Sequence, residues 1–419
     1  MKLMKLLLGD TGGKPRRWLL GILALAFVIR LVFLFGFTDF HSSFSEDPYP
    51  EITNLMMAGQ GFSKDFGPPG GVQPVTNHGP LYPVLSAGIL VVSGHSWMWV
   101  KLAQIVLSVA AVLLVYRLGR LVLGETAALI AAGLSAIYLP LVQLSTQLMT
   151  ETLFTFLLAL SAYLCIRLLR KWSGLLALWL GVVMGLLILT KPKGLFIAFV
   201  PLPLLLLIAR KRGLLLRWAA VPLLVSILVY SPWVVRNSLI ERTFLPFGSG
   251  FGEAVIMGQR AKVTEPTNLS RETAGQRSES RFSEAVHYVI DRGPVRLART
   301  SGQHFLNLWF NLGFDDGGPS TASIAFALAN FVSLAVAGVG AVMLFRRAGP
   351  MRDAGYVIVS FVLMLTAVHL GTLAVGRYAV PMMPLVFVLA SLPLARLLPH
   401  LMVRRGRTAA PVSGRVERS

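Results

Sequence analysis

Long apolar runs separated by short basic clusters constrain this chain more than any other feature of its sequence. The first run covers about residues 18–37 and follows Arg16 and Arg17. Similar runs recur along the chain, and clusters of Arg and Lys close many of them. A run of about 20 apolar residues can cross a bilayer as a helix, which satisfies its own backbone polar groups. The pattern therefore predicts a polytopic membrane protein.

The composition supports this interpretation and argues against a nucleic-acid-binding protein. Of the 419 residues, 55% are hydrophobic and 14% are charged, whereas a soluble domain has about 25% charged residues. A soluble fold of this size would leave too many apolar side chains in water. The net charge is +20, but the basic residues lie between apolar runs, as the positive-inside rule expects, and not on one face of a soluble domain.

We predict an all-α bundle of about ten transmembrane helices. The predicted spans cover about residues 18–37, 97–116, 126–145, 152–166, 174–190, 194–209, 214–233, 322–345, 355–375 and 378–398. The run 81–94 is too short to span and predicts a re-entrant or surface helix. Basic clusters then place both termini in the cytoplasm and two polar loops, about 38–80 and 236–320, on the outer face. Residues 401–419 are predicted to form a basic, disordered tail.

Ionisable residues near membrane depth are candidates for chemistry, because burying a charge in a bilayer is costly. Arg30 lies deep in the first predicted span, so it needs a partner or water. Glu46 and Asp47 follow that span in the sequence Ser-Glu-Asp-Pro-Tyr. A carboxylate partly desolvated at the bilayer edge can accept a proton from an acceptor hydroxyl. The alternative is two solvated loop acids.

The turn from His78 to Pro83 and the start of the fourth predicted span provide further candidates. Proline and glycine make this turn rigid, Tyr82 suits a membrane interface, and His78 could bind a phosphate or a metal. No strong metal-ligand spacing occurs, so the sequence implies no required cofactor, although His78 leaves a divalent metal open. Glu151 could belong to a site, or could favour the dipole at the start of its helix.

Basic residues at the predicted outer helix ends indicate an anionic substrate. Lys191 and Lys193 end the fifth span, Arg236 ends the seventh, and Arg377 with Tyr378 precedes the tenth. A bound phosphate or pyrophosphate would explain these cations, and contact with lipid headgroups is the alternative for each. Together with the acids, they predict an outward-facing site for an anionic, lipid-linked substrate.

Six short motifs follow one another in a characteristic order. They are Ser45 to Tyr49 with Gly59 to Ser63, His78 to Pro83, Thr150 to Phe154, Leu189 to Pro192, Pro232 to Asn237, and Arg377 to Pro384. The series resembles the GT-C membrane glycosyltransferases, in particular the bacterial branch similar to protein O-mannosyltransferases and to the aminoarabinose transferase of lipid A. The resemblance implies one GT-C domain over residues 1–400 in a bacterial inner or plasma membrane.

The resemblance also implies a function and a division of roles. It implies an inverting transferase that moves a sugar from a polyprenyl phosphate to a lipid, glycan or protein acceptor at the outer face of the membrane. An acid of the first outer loop is the base in such enzymes, which implies Glu46 with Asp47 next to it, although the usual first aspartate falls on Ser45. The departing phosphate would be stabilised by Lys191, Lys193, Arg236 and Arg377. Further site candidates are His78, Tyr82, Glu151 and Tyr378.

Three alternatives differ from this hypothesis in features that the sequence displays. Another lipid-linked glycan ligase or polymerase would share the topology but should lack the acidic motif of the first loop. A transporter or flippase should show internal repeats or polar residues inside its spans, and the sequence shows no internal repeat. A non-catalytic assembly partner that kept the fold would differ in activity alone, and Ser45 keeps this alternative open.

Overall fold

The computed structural model describes most of the apolar part of the chain. The described residues are 13–37, 48–68, 70–199, 201–211, 216–246, 248–249, 254–255, 287, 293–310, 321–372 and 374–407. The predicted base residues Glu46 and Asp47 lie outside them, as does most of the second polar segment.

Almost all of the described chain is helical. The helices are α1 (Gly13–Phe37), α2 (Tyr49–Met57), α3 (Leu81–Val92), α4 (Trp97–Val122), α5 (Glu125–Ile137), α6 (Leu139–Leu144), α7 (Glu151–Arg170), α8 (Gly174–Thr190), α9 (Gly194–Phe199), α10 (Pro201–Lys211), α11 (Leu216–Glu241), α12 (Gly293–Phe310), α13 (Thr321–Phe345), α14 (Pro350–Gly371) and α15 (Met383–Arg407). Two 3₁₀ turns, Gly376–Tyr378 and Val380–Met382, precede α15. The predicted all-α bundle is confirmed, and α15 continues into the predicted tail as far as Arg407.

Seven of the described segments are long and apolar enough to cross a membrane. They are Pro15–Phe37, Trp97–Val122, Glu151–Arg170, Ala220–Glu241, Ile324–Phe345, Pro350–Gly371 and Gly376–Leu397. The chain is therefore an integral membrane protein. The predicted count of about ten spans is not confirmed, because α5 and α8 are shorter than these seven segments.

The third predicted span divides into α5 and α6 at Tyr138. Pro140 has no N–H group to donate to the carbonyl oxygen of Ala136, so the helix cannot continue unchanged. Arg30 supplies the missing donor, with 3.1 Å between its Nη1 and that oxygen. The fully buried Arg30 also donates to Ser108 Oγ (2.8 Å) and to the Ala26 carbonyl (2.9 Å). The expectation that Arg30 needs a partner is thus confirmed, and its bonds join α1, α4 and α5.

The fifth predicted span is confirmed as a helix, and small residues determine how it packs. Helix α8 keeps its predicted extent and packs against α11, where Gly181 and Gly185 allow close approach. A Cβ atom at either glycine would lie 2.6 Å from the Cβ of Val225 or Val229, which is the packing expected of small residues spaced four apart. The sixth predicted span is described as two helices, α9 and α10, on either side of residue 200.

The first polar segment contains short regular elements in place of the predicted loop. Helix α2 is followed by the strands β1 (Ser63–Asp65) and β2 (Val72–Pro74), which pair antiparallel with Ser63 opposite Pro74. This hairpin is a small departure from the all-α prediction. Helix α3, with 12 residues, is about 18 Å long and cannot cross a bilayer core of about 30 Å.

Two segments form the centre of the bundle, and their burial distinguishes them from the helices at the periphery. The apolar window of α7 is 78% buried and that of Gly376–Leu397 is 72% buried, compared with 22% for α1 and 17% for α11. The start of α7 and the 3₁₀ turns before α15 therefore meet inside the protein. The side chains at this meeting point form the site described below.

The Arg30 contacts generate a prediction about stability. Ser108→Ala removes the acceptor of a buried guanidinium N–H, which should destabilise the protein by about 1–3 kcal/mol. Ser161→Ala is the matched control, because the buried Ser161 hydroxyl has no hydrogen-bond partner within the described ranges. Cys165 is the chain's single cysteine and is fully buried. Thermal unfolding in detergent can therefore be followed by the reaction of this thiol with a fluorogenic maleimide.

We expect a lower unfolding midpoint for Ser108→Ala and an unchanged or higher midpoint for Ser161→Ala. Equal midpoints for the two variants would contradict the stabilising role assigned to the Arg30 contacts.

Candidate functional site

A cavity of about 190 Å³ opens where the ends of several helices meet. Its walls come from the start of α2, the turn before α3, the start of α7, the link between α8 and α9, the last turns of α14 and the 3₁₀ turns. The lining residues are Tyr49, Asn77, His78, Thr150, Phe154, Lys191, Pro192, Lys193, Leu365, His369, Arg377, Tyr378 and Pro381. The cavity thus brings together residues that are widely separated in the sequence.

Three cations enter the cavity from two short connections. Helix α8 ends at Thr190, and Pro192 separates Lys191 from Lys193 in a turn closed by Gly194 N donating to the Lys191 carbonyl (2.7 Å). Arg377 lies on the 3₁₀ turn before α15, where Tyr378 N donates to the Val375 carbonyl (2.9 Å). Both connections are hydrogen-bonded turns, so the backbone positions from which the three side chains extend are defined.

The ring of Tyr378 lies among these cations. Lys191 Nζ is 4.9 Å from the ring centroid, Lys193 Nζ is 5.2 Å away, and Arg377 Cζ is 5.4 Å away. A cation within about 6 Å of an aromatic centroid is attracted by the negative face of the ring. Tyr378 therefore offsets part of the mutual repulsion of three like charges.

Glu151 supplies the counter-charge from beneath the cavity. Its side chain is fully buried in the first turn of α7. Its Oε1 is 2.8 Å from Lys191 Nζ and 3.9 Å from Arg377 Nε, and its Oε2 accepts a hydrogen bond from Thr150 Oγ1 (3.3 Å). This one carboxylate is therefore shared by Lys191 and Arg377.

The turn that carries His78 forms another wall. The His78 ring meets Tyr49 edge-on at 5.4 Å, and Tyr49 meets Tyr82 edge-on at 5.6 Å. Tyr82 does not line the cavity, and its buried hydroxyl donates to Gln104 Oε1 (2.6 Å). Burial lowers the pKa of His78 to about 4, with smaller contributions from the positive charges of Lys64 and Lys191. His78 is therefore neutral at pH 7.

Glycine at position 79 lets this turn approach the end of α8. A Cβ atom there would lie under 3.0 Å from the carbonyl oxygens of Leu189 and Thr190. The turn and the lysine link are consequently in direct backbone contact, so the two walls of the cavity are held together.

Lys193 has an unusual environment. Its Nζ lies 3.4 Å from Thr372 Oγ1. Burial, together with the positive charge of Lys191, lowers the pKa of Lys193 to about 8. Lys193 remains mostly protonated at pH 7 and loses its charge in a mildly alkaline solution.

His369 is a cavity residue that the sequence argument missed. Its Nδ1 lies 2.7 Å from the Leu365 carbonyl oxygen, so Nδ1 carries the proton in this bond and Nε2 is an acceptor. The ring lies 5.1 Å from that of Tyr378. A histidine inside the predicted span 355–375 is itself a signal, because ionisable residues at membrane depth are functional candidates.

Arg236 lies away from the cavity. Its guanidinium donates to the carbonyl oxygens of Val75 (2.9 Å) and Phe62 (3.0 Å), and it stacks over Trp233 with 4.5 Å to the centroid. Arg236 therefore ties α11 to the hairpin segment. Its predicted role at a phosphate stays a prediction.

The structure thus brings six of the ten predicted site residues together around the cavity: His78, Glu151, Lys191, Lys193, Arg377 and Tyr378. Tyr82 supports the wall from behind, and Arg236 lies elsewhere. Glu46 and Asp47 are outside the described residues, although they directly precede Pro48 and the cavity residue Tyr49. Among the described side chains, no group of three or more His, Cys, Asp or Glu could hold a metal ion.

Comparisons with known proteins agree with the fold. The family model of dolichyl-phosphate-mannose-protein mannosyltransferases matches residues 77–235. The apo crystal structure of an oligosaccharyltransferase from Archaeoglobus fulgidus matches with a TM-score of 0.60 and 18% identity. The structure of the archaeal enzyme with an inhibitory peptide and a dolichol-phosphate matches with a TM-score of 0.58 and 17% identity.

Each of these two matches covers 96% of this chain and 53% of the archaeal chain, so the chain spans about half the length of that enzyme. No curated protein matches the sequence.

The environment of Lys193 generates a second prediction. Acylation of its amine in competition with a reference amine, measured by mass spectrometry over a pH series, should titrate with a midpoint near 8. Lys191→Met removes a neighbouring positive charge and should raise this midpoint. A midpoint that does not change in Lys191→Met would show that the two ammonium groups are farther apart than the structure places them.

Proposed function

Because the chain has the fold of the GT-C membrane glycosyltransferases, we propose that it transfers a sugar from a polyprenyl-phosphate donor to a lipid, glycan or protein acceptor, with inversion at the anomeric carbon. The observation that carries the proposal is the cavity at one end of the bundle, where Lys191, Lys193 and Arg377 surround Tyr378. Three cations that converge on one cavity suit a phosphate, and the surrounding apolar helices suit its lipid chain.

The proposed reaction is a single in-line displacement. The acceptor oxygen attacks the anomeric carbon, its proton passes to the carboxylate of Glu46 or Asp47, and the bond from the anomeric carbon to the phosphate oxygen breaks. The new glycosidic bond forms on the opposite face of the sugar. The supporting observation is that the acids precede Tyr49 by three and two positions, and a chain reaches about 3.6 Å per residue.

The cations would act on the leaving group. The donor phosphodiester carries one negative charge, and the departing polyprenyl phosphate gains a second as the bond breaks. Interactions that strengthen as this charge develops lower the barrier, while equal binding of donor and transition state does not. Lys191, Lys193 and Arg377 are placed for this role, and Nε2 of His369 is an acceptor for a hydroxyl in the same cavity.

The proposed location is the outer leaflet of a bacterial inner or plasma membrane, with both termini in the cytoplasm. The basic clusters at the opposite ends of the predicted spans support this orientation. The archaeal oligosaccharyltransferase of similar fold was solved with a dolichol-phosphate and a peptide, which supports a lipid phosphate as the donor carrier of this chain.

Transfer of radiolabelled sugar from polyprenyl-phosphate donors in membranes tests the proposal. We expect Glu46→Gln or Asp47→Asn to lower the transfer rate by about 10²–10⁴-fold, because general base catalysis contributes on that scale. Glu51→Gln is the matched control in the same polar segment, since Glu51 Oε1 accepts a hydrogen bond from Asp65 N (2.8 Å) and glutamine keeps that acceptor.

The outcomes separate the class of reaction from the assignment of the base. If the wild type transfers sugar and one of the two acid variants is folded but inactive, the class of reaction and the assigned base are both supported. Transfer that survives in both variants contradicts the assigned base. If the wild type consumes no donor from a panel of polyprenyl-phosphate sugars, the proposed transferase activity is contradicted.

Two arginines of different environment provide a further prediction. Arg377→Met should lower the transfer rate by about 10²–10³-fold, the usual cost of removing one preorganised group that stabilises developing charge. Arg236→Met should mainly lower the unfolding midpoint, because it removes two hydrogen bonds to backbone carbonyls. Rates and Cys165 labelling are measured on both proteins. A loss of rate in folded Arg236→Met as large as in Arg377→Met would instead support Arg236 as a phosphate-binding residue.

A further inference from the structure

We propose that His369 accepts a hydrogen bond from a hydroxyl group of the donor sugar and thereby helps to select the sugars that the cavity takes. The proposal rests on the proposed function, because it concerns the sugar that the polyprenyl phosphate carries. His369 lines the cavity from the last turns of α14. Its role is specificity, which differs from that of the cations at the phosphate and from that of the acids assigned to proton transfer.

The two ring nitrogens of His369 have different roles. The side chain is buried, and its Nδ1 lies 2.7 Å from the carbonyl oxygen of Leu365, one turn earlier in α14. A carbonyl oxygen only accepts hydrogen bonds, so Nδ1 carries the proton and donates it. Burial favours the uncharged ring, in which the other nitrogen is an acceptor. The bond to the backbone therefore sets the tautomer and leaves the lone pair of Nε2 for a ligand.

The imidazole ring is held in place by the surrounding structure. Its centroid lies 5.1 Å from that of the Tyr378 ring. The end of α14 is held by α12, because His304 Nδ1 (2.9 Å) and Ser301 Oγ (3.4 Å) both donate to the Leu370 carbonyl. An acceptor that is already ordered binds a hydroxyl at a smaller entropic cost than a flexible side chain does. His369 is thus suited to discriminate between ligands.

A sugar hydroxyl is the chemistry that fits this acceptor. Lysine and arginine side chains only donate hydrogen bonds, so the cations of the cavity can bind phosphate oxygens but cannot accept from a hydroxyl. Hydroxyl groups that leave water without an acceptor cost free energy. Lys193 Nζ and the His369 ring centroid each lie about 5 Å from the centre of the Tyr378 ring. A sugar carried on a phosphate at the cations therefore lies close to the imidazole.

A general base is the alternative role for a histidine in this arrangement. A base takes up a proton during the reaction, whereas a group that binds a hydroxyl keeps its protonation state. Glutamine separates the two roles, because its side-chain oxygen accepts a hydrogen bond but does not take up a proton at neutral pH. The variants below therefore include His369→Gln.

Donors that lack one hydroxyl test the proposal. The probes are undecaprenyl phosphate, an undecaprenyl-phosphate hexose that the wild type consumes, and the monodeoxy analogues of that hexose donor. With the wild type, kcat/KM should fall about tenfold for at least one analogue, because the analogue leaves a buried acceptor unpaired. The affected position identifies the hydroxyl that His369 binds.

Two variants of His369 separate its nitrogens. His369→Asn keeps an N–H donor for the Leu365 carbonyl and removes the acceptor, so kcat/KM for the full donor should fall about tenfold. The same variant should no longer distinguish the full donor from the affected analogue, and it should bind undecaprenyl phosphate within about twofold of the wild type. His369→Gln places an acceptor near the position of Nε2 and should recover part of the lost rate.

His304→Asn is the matched control. His304 also bonds the last turn of α14, but it does not line the cavity. We expect this variant to keep the wild-type ratio of kcat/KM between the full donor and the affected analogue. Labelling of Cys165 checks the folding of each protein.

Three results would overturn the proposal. The first is a wild type that uses every monodeoxy analogue as well as the full donor, a result that depends on no variant. The second is a folded His369→Asn that discriminates against the affected analogue as strongly as the wild type does. The third is a folded His369→Gln that binds the donor but transfers no sugar, which would make His369 the base. A wild type that consumes none of the donors would instead overturn the proposed function, so the two failures are distinguishable.

Discussion

The buried ion pair between Glu151 and Lys191 is the interaction on which the architecture of the site depends. It joins the first turn of α7, the most buried span, to the residue that follows α8. Removal of Lys191 would take the nearest cation from a carboxylate that is fully buried. The link between α8 and α9 and the 3₁₀ turn with Arg377 are therefore held against the same carboxylate, and the cavity lies directly above it.

The apolar pattern predicted the fold class because membrane helices must satisfy their backbone internally. It did not predict where helices are interrupted. Proline occurs in apolar runs, but Pro140 has no backbone N–H group to donate. The helix can end there because Arg30, from another span, donates to the Ala136 carbonyl. Whether another side chain can supply the missing donor depends on tertiary packing, and the hydropathy of a single run carries no information about that packing.

The candidate site, too, could be predicted only in part. Its cations could be predicted because short links on the outer face are usually poor in lysine and arginine, so basic residues there indicate a role. The partners of these cations could not be predicted. Lys191 pairs with Glu151, and Arg236 bonds the carbonyls of Phe62 and Val75, because the fold brings these segments together. His369 was accessible to the argument from membrane depth, and it was missed because the span around it is otherwise apolar.

The contrast between Arg236 and Arg377 shows why residue type alone does not define a phosphate site. The guanidinium of Arg236 donates to two carbonyl oxygens and stacks on Trp233, so it is held within the fold. Arg377 lies at the cavity wall, 3.9 Å from a carboxylate that it shares with Lys191. What a guanidinium contacts and where it lies in the fold therefore indicate a phosphate site better than its residue type does.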